Sequence, residues 1–213
     1  MATYDLEEQE NLENLKAWWK RWGNVVLLAA ALIAMAAAGW QYWQRHLAMQ
    51  RVQGAELYGQ FLQAVTMENA ALVRETGGRL VDKFADTPYA ARAALILGKF
   101  NVERGDNASA VAQFKWALDH TREPIVKDLA HLRLADYYLE QKQYADALAA
   151  LNAPHTDAYD ARFEDLKGDV LLAQGNTAGA KAAYQAAYAG LAKTDPLYGV
   201  LAVKLDALGG PAQ

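Results

Sequence analysis

Cysteine is absent from the 213 residues, which removes disulfides, zinc–thiolate centres and cysteine nucleophiles together. That absence leaves the compartment open, because cysteine-free chains suit both sides of a membrane. Serine occurs once, at Ser109, where a helical pattern starts and no strand-turn-helix elbow surrounds it, so it reads as a helix-start residue. The match of Asn107-Ala108-Ser109 to a glycosylation sequon carries little weight, since a turn explains the same composition. The four histidines, His46, His120, His131 and His155, form no i, i+4 pair of the kind that binds a metal. Gly77-Gly78 and Gly209-Gly210 lack the lysine or following helix of a phosphate loop. Basic residues are scattered through a chain of net charge −4, which gives nucleic acid no patch to bind. These gaps argue against an enzyme, a cofactor and a resident metal.

Charge is also missing from one long stretch. Between Arg21 and Arg45, 23 consecutive residues from Trp22 to Gln44 carry none. A helix needs about 20 apolar residues to cross the hydrocarbon of a bilayer, and Val25 to Ala38 supply the centre of that span. Trp18, Trp19 and Trp22 on one side, with Trp40, Tyr42 and Trp43 on the other, suit the two headgroup layers. A transmembrane helix is therefore expected over residues 22–44, after a lead of residues 1–21. Lys16, Lys20 and Arg21 precede the span while Arg45 and Arg51 follow it, which points the N-terminus to the cytoplasm. Ala30, Ala34 and Ala38 recur every fourth residue and would let another membrane helix approach closely. The competing reading is a signal peptide cleaved after Ala38, because Ala36-Ala37-Ala38 fits the small-x-small pattern. Against it, the preceding segment is long and carries Asp5, Glu7, Glu8, Glu10 and Glu13, whereas a signal peptide opens short and basic.

Residues 45–213 contain no convincing strand. Ala-rich segments with apolar residues at helical spacing alternate with short Gly, Asn, Asp or Pro turns, so the domain should be all-α. Gly98, Gly105, Asp106, Ala110, Phe114 and Ala117 recur as Gly168, Gly175, Asn176, Ala180, Tyr184 and Ala187, a constant offset of 70. A divergent unit between them places Leu134, Ala135, Tyr138, Tyr144, Ala147 and Leu151 at equivalent positions. The spacing resembles the tetratricopeptide repeat, whose period is 34 residues. Gly105-Asp106 and Gly175-Asn176 would form the tight turns, with glycine at positive φ and the Asp or Asn capping the next helix. Lys142-Gln143 breaks that rule in the middle unit. Helix pairs over 55–66 and 70–84, and a cap over 196–208, should flank the three units. The expected architecture is a single N-terminal transmembrane helix followed by a tetratricopeptide-like helical-repeat solenoid.

Asp165 and Asp169 lie one turn apart, the spacing of paired carboxylates, yet nothing nearby supplies a pocket or third group for acid–base work. By repeat position they share the first helix of the last unit with Arg162, while Arg92, Lys99 and Asp136 take comparable places earlier. In tetratricopeptide arrays that helix lines the concave face. These six residues are the candidates for contacting a partner.

Beyond the repeat, the chain resembles the YfgM family of bacterial inner-membrane proteins, ancillary subunits of the Sec translocon. The resemblance is carried by GWQYWQRH at 39–46, AELYGQFLQAV at 55–65, RLADYYLEQKQYADALAAL at 133–151 and DLKGDVLLAQGNTAGAKAAY at 165–184. It implies a single-pass protein of the inner membrane, its N-terminus cytoplasmic and its repeats periplasmic, associated with SecYEG and the membrane-anchored chaperone PpiD. Emerging secretory chains are further implied clients. It brings no catalytic residues. Two other readings stay open: a scaffold for a different envelope complex, and a soluble periplasmic repeat protein released by cleavage.

Overall fold

The computed structural model describes residues 2–210, with side chains from residue 11 onward. The last three residues of the expected 45–213 domain, and the acidic side chains Asp5, Glu7, Glu8 and Glu10, lie outside the described residues. Among those described there are nine α-helices, one 3-10 turn and no strand. They run α1 Ala2–Thr66, α2 Ala70–Lys83, α3 Pro88–Val102, α4 Asn107–His120, α5 Pro124–Glu140, α6 Tyr144–Leu151, the 3-10 turn Asp157–Tyr159, α7 Asp160–Ala173, α8 Thr177–Ala189 and α9 Pro196–Ala207. The chain divides into two compact units, residues 1–50 and 51–213.

Within the first unit, α1 is the one described helix long and apolar enough to cross a membrane. Its central side chains find no cover within the unit: Leu28 is 64 % exposed and Ile33 70 %. A contiguous apolar surface of this kind makes α1 a candidate membrane span. Ala30, Ala34 and Ala38 are exposed along it, at the four-residue spacing that places them on one helix face.

The second unit is built from helix hairpins. Pro88, Pro124 and Pro196 start α3, α5 and α9 at the first helical turn, where their missing N–H leaves no bond unmade. The turns inside the pairs follow one plan. Gly105 and Gly175 sit at φ 75° and 82°, and each following residue caps the next helix, Asp106 accepting from Ser109 N at 3.2 Å and Asn176 from Gly179 N at 3.0 Å. Lys142 takes the same left-handed conformation at φ 58° without being glycine. Its pair closes with matching backbone bonds: Gln143 N donates to Tyr138 O at 2.8 Å, as Asp106 N does to Asn101 O at 2.9 Å. The irregular middle turn is thus made from non-standard residues in the standard shape.

A fourth copy of this turn, unforeseen from the sequence, joins α1 to α2. Glu68 sits at φ 52°, and Asn69 accepts from Leu72 N at 3.2 Å. The left-handed residues of the turns inside the pairs therefore fall at 68, 105, 142 and 175, successive offsets of 37, 37 and 33, and Gly209 after α9 takes the same conformation at φ 74°. The end of α1 with α2 is a full repeat, making four pairs, and α9 closes the array.

Packing inside the pairs is set by size. A methyl group on Gly98 of α3 or Gly168 of α7 would run into the ring of Phe114 on α4 or Tyr184 on α8, so glycine is what lets those rings approach the neighbouring helix so closely. In the middle pair the corresponding residues are Ala135 and Leu151, both buried in one cluster with Phe163 and Val170. The middle pair also has a short second helix, with 8 residues in α6 against 14 in α4. The loop that follows is tied down by Asp128 of α5, which is 1 % exposed and accepts from Thr156 Oγ1 at 2.6 Å and Thr156 N at 3.3 Å. His155 stacks on Phe163 there at 3.9 Å, and its Nε2 lies 3.1 Å from Asp160 Oδ1.

Candidate functional site

The first helices of successive pairs present one stripe each to a shared trough. On α3 it reads Arg92, Ile96, Lys99, Glu103, at spacings of four, three and four that keep all four on one face. On α5 it reads Val126, Leu129, Arg133, followed by Asp136, Tyr137 and Glu140. Tyr58 and Val65 of α1 close the other wall. The resulting groove has a volume of about 670 Å3, with Val65, Leu95, Ile96, Phe100, Ile125, Val126 and Leu129 as its apolar floor. That size falls within the roughly 300–1,000 Å3 of cavities that bury a ligand. Ile125 is 54 % exposed although it sits in this wall.

Charges rim the floor. Arg92 Nη2 lies 2.7 Å from Glu123 Oε2, and the bond lifts the guanidinium's pKa further. Lys99 Nζ lies 3.6 Å from Glu103 Oε1. All four side chains are at least a third exposed, so each pair contributes about 1 kcal/mol or less and yields readily to a bound partner. Burial pushes the Tyr58 hydroxyl upward, opposed by the nearby Arg92 charge, and keeps it a neutral donor. Arg104 covers the outer face of Phe100 at 3.4 Å. A smaller cavity of about 180 Å3 continues the trough and shares Lys99, Glu103 and Arg133 with it, adding Val102, Phe114, Asp136, Tyr137 and Glu140.

Of the six residues singled out by repeat position, the structure brings Arg92, Lys99 and Asp136 into this connected trough. Asp165 and Asp169 go elsewhere: Lys204 of α9 reaches between them, 2.7 Å from Asp165 Oδ1 and 2.7 and 2.8 Å from the two oxygens of Asp169. The Tyr184 hydroxyl donates to Asp169 Oδ1 at 2.7 Å. Burial raises the Asp165 carboxyl while the Lys204 bond opposes the rise. Burial lowers Lys204, yet its two carboxylate bonds outweigh that and leave it above its usual range. This cluster ties α9 to α7 and α8, and Arg162 is exposed on α7 beside it. Sequence reasoning missed Lys204, whose position outside the repeat hid it, and it missed the apolar floor. The Arg92–Ile96–Lys99–Glu103 stripe carries that second signal once α3 is placed.

Among the described residues no three His, Asp or Glu side chains converge to hold a metal ion. The arrangement is suited to binding a chain across an apolar floor between small charged pairs, and it presents no activated nucleophile.

Comparison with known proteins places the architecture. Over 184 residues the chain is 29 % identical to a Haemophilus influenzae protein named ancillary SecYEG translocon subunit, covering 86 % of this chain and 90 % of that one. A Neisseria gonorrhoeae protein of the same name is 29 % identical over 208 residues, 95 % of this chain and 98 % of the relative. An Escherichia coli protein, again so named, is 27 % identical over 189 residues, 87 % and 89 % of the two chains. The family model described as tetratricopeptide repeat-like domain matches residues 16–210, apolar helix and hairpins together, and this chain belongs to that family.

Proposed function

We propose that this protein is a membrane-anchored, non-enzymatic adaptor of the SecYEG translocon. The observation that carries the reading is an uncovered apolar helix in the same chain as a repeat unit with an apolar, charge-rimmed groove. Relatives named ancillary SecYEG translocon subunits, alike over most of their length, support it. In this reading residues 1–21 are a cytoplasmic lead, 22–44 span the inner membrane, and 45–213 form a periplasmic domain. Three basic residues before the span against two after it favour that orientation. Anchoring beside a channel raises the local concentration of the groove near its clients, so modest intrinsic affinity suffices. The clients are periplasmic chaperones such as PpiD and chains leaving the channel. Ala30, Ala34 and Ala38 are the packing face toward another membrane helix. Arg92, Lys99 and Asp136 contact the client directly, Arg162 adds an exposed charge on α7, and Asp165 and Asp169 serve through Lys204 to hold α9 in place.

Co-purification of the full-length chain from gently solubilised membranes tests the reading. Enrichment of SecYEG subunits is expected, and Arg92→Glu or Lys99→Glu should lower chaperone recovery several-fold without reducing SecYEG recovery. Absence of SecYEG from the purified complex overturns the adaptor assignment.

A further inference from the structure

The trough is not electrically uniform along its length. At the Arg92 end the charges are matched, Arg92 with Glu123 and Lys99 with Glu103. At the other end, Asp136 and Glu140 stand four residues apart on the same face of α5, both exposed and neither in an ion pair among the described residues. They face that cavity with Glu103, and Glu140 is the last residue of α5, where unsatisfied carbonyls add negative potential. Arg133 lies between this acidic end and the apolar floor, lining both cavities. The groove therefore offers apolar contact along one part and, at the other, the three carboxylates Glu103, Asp136 and Glu140 against the two cations Lys99 and Arg133, an excess of one negative charge.

We propose that the groove binds a short apolar peptide segment followed directly by lysine or arginine. The apolar residues lie on Ile96, Phe100, Ile125 and Leu129, and the cation meets Asp136 and Glu140. Arg133 repels a cation at the junction itself, so the lysine or arginine reaches past it to Asp136 and Glu140. From Arg92 to Glu103 the α3 stripe spans about 16 Å at 1.5 Å per residue, which matches about five residues of extended chain. The site selects by this pattern rather than by exact sequence, because nothing along the floor offers a hydrogen-bond code. This assignment rests on the groove being the client site of the adaptor, and it specifies the chemistry of that client.

Fluorescence anisotropy on the full-length protein in nanodiscs tests it with two labelled peptides. Both contain the same five residues, Leu-Ile-Phe-Ala-Leu; one ends in Lys-Lys and the other in Glu-Glu, each with an amidated C-terminus. The basic probe should bind at least tenfold more tightly. Asp136→Lys with Glu140→Lys, both at exposed positions, should reverse the preference, and Ile125→Ser should weaken both probes. Equal affinities, or no binding of the basic probe, overturn the assignment. If the basic probe fails while SecYEG still co-purifies with the unaltered chain, the adaptor reading stands and only this client chemistry falls. Loss of SecYEG with retained probe binding gives the opposite division.

Discussion

Lys142 holds the one inter-helix turn in the three sequence-defined units where the left-handed conformation is not taken by glycine. An L residue there costs about 1–2 kcal/mol, while glycine loses about 0.4–1 kcal/mol through the unfolded chain. Lys142→Gly should therefore stabilise the protein by about 0.5–1 kcal/mol in a denaturant melt, and Gly105→Ala should destabilise it. His131 carries a second prediction. Burial lowers its pKa below the usual 6.5, with Asp128 pulling the other way and Lys127 and His155 adding to the fall. The folded state thus prefers the neutral ring, so this residue's contribution is present above the unfolded pKa and is lost as pH falls through the folded one. The native protein should lose more stability on acidification below pH 6.5 than His131→Gln does, and the two curves should run parallel at higher pH. Gly105 and Gly175 were legible in the sequence because only glycine advertises a positive φ. Glu68 and Lys142 adopt the same angle silently, which is why the helix pair expected over 55–66 and 70–84 was not read as a repeat with the common turn.

At the scale of helices, each pair matches a small residue to the bulk of what faces it. Gly98 lies against Phe114 and Gly168 against Tyr184, whereas the middle pair uses Ala135 with Leu151. Gly98→Ala should cost about 1–3 kcal/mol as the ring is forced aside. Phe114→Leu alone leaves a cavity, yet in combination with Gly98→Ala it should recover part of the loss. A double-mutant cycle that sums to zero coupling would show that the two residues do not set the spacing. The pairs themselves were readable from apolar spacing and from the 70-residue recurrence. The groove was readable only in part. Arg92, Lys99 and Asp136 follow from repeat position, but the apolar floor draws on α1, α3 and α5, and residues so distant in sequence declare their proximity only when folded. Asp165 and Asp169 illustrate the converse: repeat position cannot reveal that a lysine from the closing helix sits between them.

Across the whole chain, the two units should separate cleanly in experiment. Deleting residues 22–44 should move the protein from the membrane pellet to the soluble fraction, and its far-UV spectrum should remain helical, because the second unit holds its own buried clusters. Intact-mass measurement of the native membrane-bound protein should give a chain that retains Trp22 to Ala38. A mature N-terminus at Gly39 would instead favour the cleaved alternative.

The left-handed residues of the four pair turns, at 68, 105, 142 and 175, hold one more implication, for how such a chain changes length over generations. Their offsets are 37, 37 and 33, and the shorter one combines six residues fewer in α6 than in α4 and three fewer in α7 than in α5 with five more in the connection between them, while a helical turn takes about 3.6 residues. Adding or removing one turn keeps every inward residue facing inward; adding one or two residues would rotate half a helix out of register. Insertions and deletions that survive in relatives should thus come in quanta of three or four inside the helices, and in any size only within the loops between pairs.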